Sequence, residues 1–265
     1  MQNSTTYEDI TIKEVIEVLW SGKITIIIIT FLFAIFSVYY ALSLPDKYTS
    51  VALLKVNNSD DSSALSGLSS QYGGLASMAG ISLPSSAQDK SAYVISSMQS
   101  RGFVQHLISF NGLKENLIAA ESFDPETNQI IFNQEFYDPL KKKWIREANK
   151  NRKTIPSHLE VHKKLKKDLR INQNKESGFI SISFEHVSPL FAAEFIDLIV
   201  VEMNRVGKGK DLKEADAALL YLKEQSINTN TATLLKSINN LIESQMKTKM
   251  FANIRDEYLI EYIDK

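Results

Sequence analysis

The sequence predicts an α+β membrane protein with an N-terminal transmembrane helix, a mixed α/β domain and a long helical hairpin. Three observations carry this. Residues 24–44 (ITIIIITFLFAIFSVYYALSL) contain no charged side chain. Residues 48–56 (YTSVALLKV) and 179–186 (FISISFEH) alternate wholly or in part with the period of strands. Beyond Ser188-Pro189, apolar residues recur at helical spacing through two long runs.

The apolar run comes first. A helix of that length spans about 31 Å, close to the roughly 30 Å thickness of a bilayer's hydrocarbon. Trp20 before it and Tyr39 and Tyr40 near its far end stand where a spanning helix meets the headgroup layers, and Pro45 ends it. The residues assigned to anchoring are Trp20, Lys23, Ile24, Phe31, Phe33, Phe36, Tyr39, Tyr40 and Leu44. A cleaved signal peptide fits less well despite Ala41-Leu42-Ser43, because residues 1–23 are long and carry Glu8, Asp9, Glu14 and Glu17 against Lys13 and Lys23. A buried globular helix is rarely this long. Ahead of the span, Ile12, Val15, Ile16 and Leu19 recur at helical spacing after Asp9, a candidate N-cap. This makes residues 1–23 an amphipathic interfacial segment, with a frayed tail as the alternative.

Hydrophobic content of 44% and charged content of 23% are those of a packed domain rather than a disordered stalk. A net charge of −1 argues against nucleic acid as a partner. There are no cysteines, which excludes disulfides, thiolate metal sites and a cysteine nucleophile. Lysines flank both ends of the span (Lys13 and Lys23, Lys47 and Lys55), so charge does not orient it.

Residues 48–56 read as the first strand. The following stretch, within a loop over residues 57–88, is rich in Asn, Ser and Asp, then apolar and small from Gly73 to Gly80. Gly73, Gly74, Leu75, Met78 and Gly80 form a candidate flexible interaction loop facing a membrane or a partner, and an ordinary mobile connection is the competing reading. Residues 89–110 read as one helix burying Tyr93, Ile95, Met98, Phe103, Leu107 and Ile108, with Gly112 as its stop. Residues 121–150 read as turns and a peripheral excursion. Residues 157–169 read as a charged helix; Lys163, Lys164, Lys166 and Lys167 favour a solvated face over a polyanion site. The strand at 179–186 is the clearest in the chain.

Ser188 is a candidate N-cap and Pro189 suits the first helical position. The helix they open runs toward Gln225, about 55 Å if continuous, with a kink allowed at Gly207 and Gly209. Residues 228–231 turn, Leu234 to Met246 suggest a returning helix, and residues 258–263 a closing strand. The assigned organisation is an N-terminal segment (1–23), a transmembrane helix (24–44), a base domain (45–188), a hairpin (189–254) and a return strand (255–265).

No catalytic constellation, cofactor site or metal site emerges. His158 and His162 share a helix face, but the glutamate between them is misplaced for a zinc protease motif. Gly207-Lys208-Gly209-Lys210-Asp211 lacks the first glycine and the Ser or Thr of a phosphate loop, and it lies inside a helical pattern. Scattered acids such as Asp60, Asp61 and Glu185 show no pairing.

In combination, several stretches resemble the polysaccharide co-polymerase family, the chain length determinant proteins of the Wzz type. They are Leu19-Trp20-Ser21-Gly22-Lys23, Tyr48-Thr49-Ser50, the Gly73 to Gly80 stretch, GFISISFEHVSP from Gly178, Tyr221-Leu222-Lys223-Glu224-Gln225, and Leu241-Ile242-Glu243-Ser244-Gln245 leading to Met250-Phe251-Ala252. Trp144 after Tyr137-Asp138-Pro139 is similar to an insertion in some members. The resemblance implies a bacterial inner-membrane protein with a cytoplasmic N-terminus and a periplasmic α/β base from which the hairpin protrudes. It implies homo-oligomeric rings, commonly octameric, that set O-antigen chain length in lipopolysaccharide biosynthesis alongside a separate O-antigen polymerase, without enzymatic activity of their own. Membrane lipid and nascent polysaccharide are the other partners considered. The family continues into a second membrane helix, expected soon after Lys265. The competing readings are a membrane adaptor of a capsule or exopolysaccharide tyrosine kinase or export system, and a single-pass periplasmic sensor.

Overall fold

The computed structural model describes residues 20–43, 45–57, 87–149 and 152–265. The residues up to Asp46 form one unit, and Lys47–Lys265 form a second, compact one. The proposed amphipathic segment up to Leu19 and the Gly73–Gly80 loop lie outside the described residues.

In the first unit, α1 (Lys23–Ser43) is a single helix whose Thr30 hydroxyl donates back to the Ile26 carbonyl at 2.8 Å. That bond satisfies the Thr30 hydroxyl within an apolar run.

The second unit is organised on a four-stranded sheet ordered β6-β7-β1-β8. Its strands are β1 (Tyr48–Val56), β6 (Leu169–Gln173), β7 (Ile180–His186) and β8 (Ile260–Asp264), all paired antiparallel. β1 and β7 occupy the stretches whose alternation reads as strand, and their registers explain it. Ala52 faces Ile182 and Leu54 faces Ile180, and all four are buried. Lys47 and Glu185, and Lys55 and Glu261, pair across the opposite, polar face. One face therefore carries the core and the other meets solvent.

Between β1 and β6 the chain makes α2 (Ala87–Met98), α3 (Arg101–Leu107), α4 (Leu113–Ala119), the hairpin β2 (Ala120–Asp124) and β3 (Gln129–Phe132), the hairpin β4 (Tyr137–Asp138) and β5 (Lys143–Trp144), and α5 (His158–Asp168). The single helix expected over 89–110 is two. The Ser100 hydroxyl accepts from the Phe103 amide at 3.1 Å and starts α3 anew. The rotation this introduces buries Val94 and Val104 and leaves Tyr93 44% exposed. Gly112, at φ 79, opens α4 rather than closing the preceding helix; the left-handed backbone there favours glycine. The expected excursion at 121–150 is built. Asp124 accepts from the Glu126 amide and the Thr127 hydroxyl to close β2–β3, and Tyr137 and Trp144 meet at 5.2 Å over a small core of their own with Ala119.

Ser188 and Pro189 start α6 (Pro189–Ile227) as their residue types dictate, the Ser188 hydroxyl accepting from the Phe191 amide at 3.2 Å. α6 is one uninterrupted helix of 39 residues, about 58 Å long. The two glycines do not divide it. A Cβ at Gly207 would lie 1.9 Å from Leu259 Cδ1, so this glycine admits the side chain of the chain returning to β8. α7 (Ala232–Ile254) runs back along α6. Phe191, Phe195, Ile199 and Met203 press the first half of α6 onto the sheet, while Leu222, Ile238 and Leu241 form a separate cluster near the hairpin tip.

Candidate membrane anchor and hairpin surfaces

Among the described residues one helix, Lys23–Leu42, is long and apolar enough to cross a membrane, and none of it is buried within the protein. Trp20, Ile24, Phe31, Phe33, Phe36, Tyr39 and Tyr40 are all exposed. Lys23 is exposed too, and its ammonium sits 4.8 Å from the centre of the Trp20 ring. A cation over an indole at the end of an apolar helix suits a headgroup layer, where the charge stays wet and the ring is half-submerged. Leu44, assigned to the same anchor, lies outside the described residues, as do Gly73, Gly74, Leu75, Met78 and Gly80.

The root of the hairpin is held by polar side chains that no pattern in the sequence singles out. Asn204, buried on α6, accepts from the amides of Leu259 and Ile260 at 2.7 and 3.0 Å and donates to the Ile260 carbonyl at 2.9 Å. It substitutes for a strand edge and fixes where β8 begins. Glu202, also buried, lies 2.5 Å from His106 Nε2 on α3 and 2.7 Å from Arg205 Nη2. The contact with the carboxylate places the His106 proton on Nε2, so Arg205 serves Glu202 rather than the ring. Burial pushes the Glu202 carboxyl up, but the hydrogen bonds from Arg205 and His106 outweigh it and hold the group below its ordinary range. Tyr258 donates to Asp211 and Tyr262 to Asp197, at 2.8 and 2.6 Å. Burial foremost, and then the carboxylates, raise both phenols and keep them protonated donors.

A second buried ion, Arg146, fixes α5. Its guanidinium grips Glu160 with both nitrogens, Nη2 lying 2.7 Å from Oε2, and Nε donates to the Thr154 carbonyl at 2.9 Å. The hydrogen bond from Arg146 is the main cause holding Glu160 below the usual carboxylate range.

His162 and Lys210 have structural tasks. His162 hydrogen-bonds the Gln99 carbonyl at 2.9 Å. Lys210, within the glycine-lysine stretch, lies over the Tyr93 ring at 4.6 Å, inside the continuous α6. Among the described residues no three His, Asp or Glu side chains gather as metal ligands.

The outer surfaces of the hairpin are apolar in stripes. On α6, Ala215, Ala218 and Leu222 are buried, whereas Val206, Leu220 (74% exposed) and Ile227 (76%) lie on the opposite side of the helix. On α7, Ile238, Leu241 and Ala252 are buried, whereas Met246, Met250 and Ile254 (70%) recur every fourth residue on the opposite side. Met246, the last residue of the apolar pattern that suggests this helix, is 60% exposed, because its position on the helix faces away from α6. Leu190, in the first turn of α6, is likewise 51% exposed.

Residues 8–109 match the family model Wzz, described as chain length determinant protein. Over that stretch, less than half of its length, the chain is similar to the Wzz family. The match runs through α1, β1, α2 and α3, and it takes in Leu19-Trp20-Ser21-Gly22-Lys23, Tyr48-Thr49-Ser50 and the Gly73 to Gly80 stretch, which carry the resemblance in the sequence. Wzz proteins are regulators rather than catalysts, and their membrane association fits an N-terminal apolar helix as a single span. No curated protein matches the chain.

Proposed function

We propose that this protein is an inner-membrane regulator of O-antigen chain length, acting as a co-polymerase beside a separate membrane polymerase. The observation that carries the reading is the chain length determinant match, which begins ahead of α1 and continues into the sheet and helices of the second unit. The bulk of the protein then lies in the periplasm, held by α1. β8 runs antiparallel to β1 and so returns toward the end of the sheet at which β1 begins, as suits a domain tied to a membrane at that end.

The outer stripes of α6 and α7 support a ring of copies. They lie on opposite sides of the hairpin and differ from one another, so the stripe of one copy meets the other stripe of its neighbour, a head-to-tail contact that closes by rotation. Deleting the gene tests the function. The ladder of lipopolysaccharide lengths is expected to change while the sugar repeat stays the same, and an unaltered ladder overturns the reading. Leu220→Glu and Met250→Glu test the ring: each is expected to lower the mass of the detergent-solubilised particle, and a wild-type protein that is monomeric in detergent at all concentrations overturns it.

A further inference from the structure

The sheet has a cationic end. Tyr48 pairs with His186 and Phe184 with Leu169, so the start of β1, the end of β7 and the junction of α5 with β6 lie together at one end of the sheet. α5 buries Val161 and Leu165 against the core, which turns Lys163, Lys166 and Lys167 to solvent, and Arg170 follows exposed on the edge strand. Lys164 and Lys47, nearby, are occupied by Asp168 at 2.6 Å and Glu185 at 2.7 Å. Lys163, Lys166, Lys167 and Arg170 make no ion pair among the described residues. Lysines in a helix's last turn complement its dipole, which accounts for Lys166 and Lys167 but not for Lys163 or Arg170. The one glutamate of this helix, Glu160, is taken by Arg146.

Covalent reach connects this end to a bilayer. The segment from Ser43, where α1 stops, to Tyr48, where β1 starts, covers at most roughly 18 Å when fully extended. A membrane crossed by α1 has its headgroups within that reach of the first residue of the sheet. We infer that Lys163, Lys166, Lys167 and Arg170 dock on anionic lipid headgroups. This rests on the anchor reading of α1. Charge complementarity selects the ligand, since exposed ammonium groups without protein partners gain counterions from an anionic surface.

The test uses the full chain in lipid nanodiscs, either zwitterionic phosphatidylcholine alone or phosphatidylcholine with phosphatidylglycerol, and reads acetylation of each lysine by mass spectrometry. Lys163, Lys166 and Lys167 are expected to label about fivefold more slowly in the anionic discs, the fold-change that corresponds to the attraction of one basic residue to such a surface. The protection is expected to vanish in about 1 M salt, where screening shortens to about 3 Å, and Lys236 on α7 is expected to label alike in both discs. Equal labelling of the three lysines in chains that have entered both kinds of disc overturns the docking alone. So does protection that appears only when a soluble anionic polysaccharide is added to zwitterionic discs. A chain that enters neither disc overturns the anchor reading, and the docking with it.

Discussion

Alanine at Gly207 and alanine at Gly209 are the same chemical change two residues apart in one helix, and the structure predicts opposite effects. Both replacements gain helix propensity worth about 1 kcal/mol. Around Gly209 there is nothing within 4 Å of a new Cβ, so the gain stands. At Gly207 the new Cβ would meet Leu259 Cδ1 at 1.9 Å and Cγ at 2.6 Å. Leu259 cannot simply withdraw, because its amide is held by Asn204 at 2.7 Å and its carbonyl by the Asn57 amide at 2.8 Å. Overpacking of this kind costs about 1–3 kcal/mol. The difference between the two variants isolates that cost, since the propensity gain is common to both. Urea unfolding in detergent, followed by circular dichroism, is the assay. Gly209→Ala is expected to raise the midpoint and Gly207→Ala to lower it, while Leu259→Ala in the Gly207→Ala background recovers part of the loss through a favourable coupling. A Gly207→Ala variant as stable as Gly209→Ala would refute the reasoning, for it would show that Leu259 yields without cost and that the glycine serves no close approach.

Three further outcomes follow from the polar contacts. Asn204→Ala leaves two amides and one carbonyl at the start of β8 without their partner, at a cost of about 1–3 kcal/mol for each group left unsatisfied and shielded from water; hydrogen exchange at the Ile260 amide should accelerate more than exchange at Ile182, and equal acceleration would contradict a local clamp. Glu160→Gln should destabilise the protein, because it leaves the buried Arg146 guanidinium without its counter-charge, and an unchanged midpoint in urea would argue against the ion pair as the anchor of α5. His186 sets a pH response: its Nε2 donates to the Asn116 carbonyl at 3.0 Å and its Nδ1 accepts from the Ser188 amide at 3.1 Å, an arrangement only the neutral ring can satisfy. Burial foremost lowers its affinity for a proton, the Asn116 carbonyl and Asp168 opposing and Lys164 assisting. A depressed folded value means that the unfolded chain binds the proton first, so stability is intact above the ordinary value of 6.5 and is lost as pH falls below it toward the folded value. His186→Gln should flatten that limb of the stability profile, while the loss from Glu160, whose folded value is also depressed, begins only below 4.5; an unchanged slope between the two in His186→Gln would show that another group titrates there.

What could be read from the residues, and what could not, follows from where each signal resides. α1, β1, β7 and the start of α6 are written in local periodicity and in the pair Ser188-Pro189, and each stands within a residue or two of its expected place. The apolar span likewise announces itself by composition. Position on a helix is subtler: Met246 continues an apolar pattern yet faces outward, because hydrophobicity alone does not say which of two stripes meets α6 and which meets something else. Asn204 escapes any pattern, since its partners lie 55 and 56 residues away and its type is unremarkable in a helix. β6 is the instructive omission. Its sequence, LRINQ, buries Ile171 and presents Arg170 and Asn172 to solvent, so it offers almost no apolar alternation to detect. That polarity has a physical reason at the margin of a sheet, where unpaired amides and carbonyls invite another strand and a charged, half-polar edge discourages it. The edge strand was hard to see in the sequence because of the residues that keep it an edge, and Arg170, one of them, belongs to the surface assigned here to lipid.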